Sequence, residues 1–348
     1  MPAGVTVDPA ELRDAVAPER LAPWLEANVS GFGTLVTVER ISGGHSNLTF
    51  RLTSADGMVV ALRRPPRGKV QPTANDVLRE SRIMGALGPT PVPVPRVFAE
   101  CTDLAVIGVP FFVMDFVQGH VLRDRRSAEA LPETARLAAG NHLVDVLAEL
   151  HAVRPADVGL GELGAPDGYI ERQLRRWFGQ YERTRIRERP ALEQVHEALH
   201  QAIPTTSDTA IVHGDYRLDN TIVDDGGQIR AVLDWEICTL GDPLADLGLM
   251  CAYWPEPGEK AMVVSTTTAV GFPSRAEVVA RYAERSGRDV SAIDYYVAFG
   301  WWKLACIADG VLARYRVGGL GVDADLERMD RLVDLLSERA AECVRRLG

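Results

Sequence analysis

Between residues 210 and 235 an otherwise helical stretch is broken by two short apolar runs that flank a loop rich in oxygen acceptors, IVHGDYRLDNTIV followed by IRAVLDW. Apolar runs this short, bounded by glycine and aspartate, read as buried strands. The loop therefore sits between two strands, with Asp215 and Asn220 five positions apart and Asp234 closing the second run. That spacing can gather three oxygen-bearing side chains around one hard cation, the arrangement that phosphoryl transfer asks of a protein. Three such residues in this order exceed what turn-capping aspartates and asparagines alone would give.

The rest of the chain arranges itself around that insert. After a leader with helical character over Pro9 to Asn28, β-rich runs over 34–41, 47–53 and 58–63 read as an antiparallel meander, with Asp56-Gly57 marking a hairpin. Apolar residues at helical spacing follow over 75–87, and a proline-rich segment then leads to a buried β-rich run over 108–117. From Pro132 onward helices dominate, with Leu143, Val146, Leu147 and Leu150 spaced as one apolar face, and with further helices around 168–185 and 190–203. The layout is α+β: a small N-terminal β-rich lobe over 1–114, a connector over 115–119, and a larger helical C-terminal lobe over 120–348.

With these elements in place, HGDYRLDN resembles the catalytic loop of the aminoglycoside phosphotransferase and choline kinase-like family, itself related to protein kinases. The resemblance implies a protein-kinase-like two-lobed fold and an ATP- and Mg2+-dependent phosphotransferase acting on a small-molecule hydroxyl. By it, Asp215 orients or deprotonates that hydroxyl, Arg217 approaches the transferred phosphate, and Asn220 and Asp234 hold magnesium. The glycine loop with Gly43, Gly44, Ser46 and Asn47 matches the family's phosphate-covering loop, and Arg63 in VALR stands where the family's lysine pairs with the glutamate matched by Glu80. Arginine keeps the charge but presents a planar fork instead of a point ammonium. Main-chain groups of Asp115, Phe116 and Val117 match the adenine-binding hinge. Asp242 and Asp246 in GDPLAD match aspartates that brace the catalytic loop, His213 supports the same loop, and His151 reads as a packed helix-end histidine. Because the motif is Asp-Trp-Glu, the flip known from Asp-Phe-Gly kinases is not expected. The segment that follows has no peptide-kinase activation motif.

The acceptor is less legible. The aromatic and charged tail segment offers Trp301, Asp309 and Arg314 as candidate contacts. The wording VALRRPP and VLDWEICTLGDPLADLG is similar to kinase domains found with acyl-CoA dehydrogenases, which implies a functional link to those enzymes and a hydroxyacyl-CoA-type acceptor as an alternative to an aminoglycoside. Arg123, Arg125, Arg126 or Arg314 would then meet its phosphates. A nucleotide-binding regulator without turnover is the other alternative, raised by Arg63. A metal-dependent hydrolase would need a further His or Asp cluster, which the sequence does not offer.

Composition narrows the partners. A formal net charge of −10 opposes nucleic-acid binding, and no membrane span is expected from the longest apolar run, 105–114, which Pro110 interrupts. The N-terminus is polar where a signal peptide would be apolar, and five scattered cysteines form no CxxC pair, so reduced, buried thiols and a cytoplasmic location are expected.

Overall fold

The computed structural model describes residues 15–41, 47–66, 76–165, 167–205, 208–256, 259, 263–316 and 325–347. The chain forms two compact units, Met1–Leu122 with Asn220–Ile237, and Arg123–Asp219 with Cys238–Gly348.

The first unit is built on strands β1 (Leu35–Ile41), β2 (Leu48–Ser54), β3 (Val59–Arg64), β4 (Val97–Cys101) and β5 (Phe111–Asp115), in the order β1-β2-β3-β5-β4. All pairs are antiparallel, and the Asp56-Gly57 turn, with Gly57 at φ 83°, joins β2 to β3 as its sequence requires. Alternation puts Phe50, Leu52, Val60 and Leu62 on one buried face, where they meet Leu21 and Leu25 of α1 (Pro18–Asn28) and Phe111 and Val113 of β5. Such alternation fixes register, because a slip of one residue would turn every one of these side chains outward. Helix α2 (Val77–Leu87) starts at Asp76, whose carboxylate accepts the Arg79 amide, and buries Glu80, Ile83, Met84 and Leu87. A single turn, α3 (Leu104–Ile107), lies between β4 and β5. Strand β4 was not read from the sequence; it is five residues long and follows a run of prolines that masks its β character.

The segment Asn220–Ile237, expected with the helical lobe, belongs to this first unit. Its hairpin, β7 (Thr221–Val223) with β8 (Ile229–Val232), is tied in by backbone bonds. The His120 amide donates to Val223 O at 2.7 Å, the Val223 amide returns to His120 O at 2.9 Å, and Val232 N–H donates to Pro93 O at 2.8 Å.

The second unit is mostly helical: α4 (Arg125–Glu129), α5 (Glu133–Ala152), α6 (Tyr169–Thr184), α7 (Pro190–Gln201), α8 (Leu244–Ala252), α9 (Arg275–Ser286), α10 (Ile293–Arg316) and α11 (Leu326–Val344), with β6 (Ala210–Val212) paired to β9 (Thr239–Gly241). Leu143, Val146, Leu147 and Leu150 of α5 are fully buried, as their spacing predicts. Helix α10 is long and apolar enough to cross a membrane by length and composition, a property the run at 105–114 did not anticipate; 83% of that window is buried inside the protein. Helices α8 and α10 cross at near backbone contact, since a Cβ on Gly248 would stand 2.4 Å from the Tyr296 carbonyl carbon and one on Gly300 would stand 3.1 Å from Gly248 O. Four of the five cysteines are buried and all are free.

Candidate active site

The sequence-predicted residues fall into one set in each unit. In the first unit β3 delivers Arg63 and α2 delivers Glu80. The Arg63 guanidinium donates from Nε to Glu80 Oε2 at 2.7 Å, from Nη2 to Asp234 Oδ1 at 2.8 Å, and weakly from Nη1 to Thr49 Oγ1 at 3.4 Å. A lysine ammonium could also bond two carboxylates, but as a compact point charge and without the fixed planar fork that sets the directions here. Glu80 is 2% exposed, and burial holds its carboxyl above the ordinary range even though Arg63 pulls the other way.

Asp234 follows β8 with φ at 67°, in the left-handed region that aspartate tolerates better than most side chains. The turn is pinned by Trp235, fully buried, whose indole N–H donates to Val232 O at 3.0 Å. Asn220 is drawn beside it because Leu233 N–H donates to Asn220 O at 2.8 Å, extending the β7–β8 ladder by one pair. The hairpin thus brings together the carboxylate and the amide that the sequence assigned to a metal. Among the described residues no group of three His, Cys, Asp or Glu could hold a metal by itself. A donor set of one carboxylate and one amide oxygen would suit a hard cation such as magnesium and does not fit a closed zinc site.

Asn47 stands at the head of β2, 3% exposed, and among the described residues neither its side-chain N nor its O has a hydrogen-bond partner. A buried amide without partners costs folding free energy, so its polar atoms suit a ligand group that supplies them. Gly43, Gly44 and Ser46 lie outside the described residues. At the predicted hinge, the Asp115 amide donates to Arg96 O at 2.8 Å, which commits it to the sheet edge. Phe116 lies under the Arg51 guanidinium, 5.2 Å from its ring centroid.

In the second unit the His213-Gly214-Asp215 turn is held from the interior. Asp246, at the start of α8, accepts the His213 amide at 2.6 Å and the Gly214 amide at 2.8 Å, and His151 of α5 approaches it at 3.4 Å. The Asp215 amide donates to His213 Nδ1 at 3.3 Å. Asp242 caps α8 by accepting the Leu244 amide at 3.0 Å and also takes the Tyr296 hydroxyl. Asp246 and His213 take the bracing roles expected of them and His151 is packed at the end of α5 as expected, whereas the bonds of Asp242 go to the start of α8 and to Tyr296. Burial pushes the His151 imidazole below its ordinary pKa, against the pull of Asp246. With Tyr282 OH 2.7 Å from Nδ1, a neutral ring that accepts there and donates toward Asp246 satisfies both partners.

Arg217 is half-buried, its Nε 2.9 Å from Asp219 and 3.5 Å from Asp215, with the guanidinium 4.6 Å over the Tyr253 ring. Burial pushes the Asp219 carboxyl up to about 6, with Arg217 pulling against it. Arg217 and Asp219 line a cleft together with Arg123, Tyr253, Trp254 and Thr266. The tail candidates do not join this cleft. Trp301 is 5% exposed, and Asp309 is fully buried with its carboxylate 2.6 Å from Arg189 Nε, so Asp309 belongs to an interior ion pair and not to an acceptor surface. Arg314 is exposed near the end of α10. Sequence reasoning missed Lys303, whose ammonium donates to Gly214 O at 2.7 Å. A lone lysine within the apolar run GWWKLACI was the available signal.

A sheet-based unit carrying a bridging guanidinium, a helix glutamate, a left-handed aspartate and Asn220, together with a helical unit carrying the His213-Gly214-Asp215 turn, defines a phosphotransferase of the protein-kinase-like class. Residues 37–290 match the phosphotransferase enzyme family, and the chain belongs to that family. It is 34% identical to an aminoglycoside phosphotransferase, so classed, from Ralstonia eutropha, whose crystal structure superposes with a TM-score of 0.80 over 94% of this chain and 98% of the other. An aminoglycoside phosphotransferase in complex with AMP-PNP and hygromycin B shares the fold at a TM-score of 0.62 and 15% identity, covering 93% of this chain and 98% of its own. Among curated proteins, acyl-CoA dehydrogenase family member 11 of Gallus gallus is 33% identical over 90% of this chain, and family member 10 of Mus musculus is 33% identical over 85%. The chain spans 41% and 28% of the length of those two relatives.

Proposed function

We propose that the chain transfers the γ-phosphoryl group of ATP, with magnesium, to a hydroxyl of a small molecule. The observation that carries this reading is the Arg63 bridge from Glu80 to Asp234, with Asp234 in a left-handed turn beside Asn220. Asn220 and Asp234 would hold magnesium, which when bound neutralises charge on the phosphates. Asp215 receives the proton of the acceptor hydroxyl as its oxygen bonds to phosphorus and the bond to ADP breaks. Arg63 offers cationic density to the phosphate chain while Glu80 keeps its fork in plane. The hinge main chain around Asp115 to Val117 would meet the adenine edge.

For the acceptor, a hydroxyacyl compound, up to a CoA thioester, is favoured over an aminoglycoside by two observations. The relatives named for acyl-CoA dehydrogenases match most of this chain. The cleft beside Asp219 presents Arg123 and Arg217, cations that suit an anionic acceptor better than a polyamine. Five free thiols accord with a cytoplasmic setting.

The test is a thermal-shift titration with ATP and magnesium on the wild type and on Asp234→Asn, because a ligand of the native state raises apparent stability. A magnesium-dependent rise that the variant loses supports the reading and licenses acceptor screening with hydroxyacyl-CoAs, amino alcohols and aminoglycosides. Stabilisation without transfer to any acceptor would instead favour the regulator reading. No rise at saturating nucleotide would sink both.

A further inference from the structure

Lys303 lies in the middle of α10, 4% exposed, between the buried Trp302 and Leu304. Its ammonium donates to Gly214 O at 2.7 Å and sits 5.4 Å from the centroid of the Trp177 ring on α6. The carbonyl it holds belongs to the peptide that joins Gly214 to Asp215, and the N–H of that same peptide donates to His213 Nδ1 at 3.3 Å. The preceding two amides are gripped by Asp246 of α8. Gly214 itself has φ at 86°, so this backbone turn is one that only external bonds and a glycine keep in place. The two helices that supply Lys303 and Asp246 touch through Gly248 and Gly300, so their spacing admits little adjustment.

We propose that Lys303 is a positioning residue for phosphoryl transfer, holding the Gly214–Asp215 peptide from the interior so that the Asp215 carboxylate keeps one orientation toward the acceptor. The inference rests on the reading of Asp215 as the proton-receiving group. Stability alone gives no reason for a lysine at this place. Its neutral hydrogen-bond partner and an aromatic face offset only part of the cost of burying an ammonium, and methionine would fill the same volume without charge. Burial accordingly pushes the Lys303 ammonium below its ordinary pKa; the nearby Asp215 and Asp246 pull it back up, and Arg176 opposes them. What the lysine supplies is direction, and transfer rates are sensitive to displacements of an ångström in the groups that receive a proton.

The experiment compares wild type, Lys303→Met and Asp215→Asn, each with Mg-ATP and water as the acceptor, following ADP release, urea unfolding and amide hydrogen exchange over residues 213–215. For Lys303→Met, ADP release should fall at least about tenfold with the KM for ATP within about threefold, as loss of orientation without loss of nucleotide binding requires. Its urea midpoint should be unchanged or higher, and the Gly214 and Asp215 amides should exchange faster. A residue that merely fills the core would lower stability and leave exchange at the loop and turnover of the folded fraction alone. Turnover of Lys303→Met within about twofold of wild type, with Asp215→Asn inactive, overturns the assignment of Lys303 and leaves the reading of Asp215 standing. Wild-type turnover in both variants overturns that reading and the inference with it. If Lys303→Met does not fold, Lys303→Gln, neutral and one bond shorter, carries the same expectations and the same overturning result.

Discussion

Two aspartate turns, one in each unit, are stabilised by opposite means. Asp234 is more than a third exposed and is held through its side chain by the Arg63 guanidinium. At Asp215 the turn is held chiefly through its backbone, by the buried Asp246, His213 and Lys303, with the carboxylate at 3.5 Å from Arg217 Nε as a looser contact. Counter-charges at a half-open position can be exchanged when a phosphate and a cation arrive, whereas backbone bonds sealed in an interior cannot be exchanged without unfolding the loop. A phosphotransferase needs both kinds of turn. In the proposed reaction Asp234, as a metal-holding group, would trade partners in every cycle, and Asp215, as the group that takes the proton, would keep its place.

The sharpest way to break that contrast is Asp215→Asn. Turnover should fall by about 10² to 10⁴-fold, while the unfolding free energy from urea titration stays within about 0.5 kcal/mol of wild type. An equally large stability loss would mean that the carboxylate, and not only its backbone, holds the turn. Next in size, Asp246→Ala strands His151 and two buried amides, so chemical unfolding should show a loss of about 3–5 kcal/mol. A loss below about 1 kcal/mol would show that the interior grip on the Asp215 turn is weaker than its geometry. Arg63→Ala leaves Glu80 buried without its counter-charge and should cost about 2–3 kcal/mol by the same measurement. Adding Mg-ATP should restore little of it, because the phosphate contact is lost too; Arg63→Lys should fall between. Gly214→Ala forces a side chain into a left-handed position and should cost about 1–2 kcal/mol, with a larger effect on turnover than on the melting temperature.

The smallest effect is one of pH. The folded His151 has a pKa below its unfolded value of 6.5, so just below pH 6.5 the unfolded chain binds more protons than the folded one. The His151 contribution to stability should therefore decline as pH falls from about 6.5 toward the folded pKa, opposed by Asp219, whose carboxyl is held up to about 6 in the folded chain, and His151→Gln should remove the His151 part of the slope in urea titrations between pH 7 and 5. His196, also held low by burial, would leave a residual slope.

Much of this was legible in the sequence because strands β1 to β3, α2 and α5 each combine a strong period with a turn or cap signal. The chemical residues of the loop were legible because Asp215, Asn220 and Asp234 share one short insert. Strand β9, three residues long, has no room for a period to show. That Asn220–Ile237 belongs with the first unit follows from its pairing to Pro93 and His120, contacts distant in sequence that no local pattern encodes. The sequence offers Asp309 as an acceptor contact within an aromatic helix. Its partner Arg189, also held by Asp330 and Asp334, comes from a different helix start, and only the fold brings them together. Lys303 was passed over for the same reason: its partner is a carbonyl oxygen, which sequence does not display.

The left-handed backbone at Asp234 also bears on how such a protein can change over generations. That conformation admits glycine, asparagine and aspartate at low strain and disfavours nearly everything else. Asparagine and glycine are each one nucleotide away from aspartate, and both keep the left-handed backbone at low strain while giving up the Arg63 ion pair. Of the three, aspartate alone carries the charge. If Asp234 has the proposed role, a lineage can drop catalysis at this position in a single mutational step at the cost of one partly exposed ion pair, so descendants that retain the architecture but not the chemistry should be easy to reach.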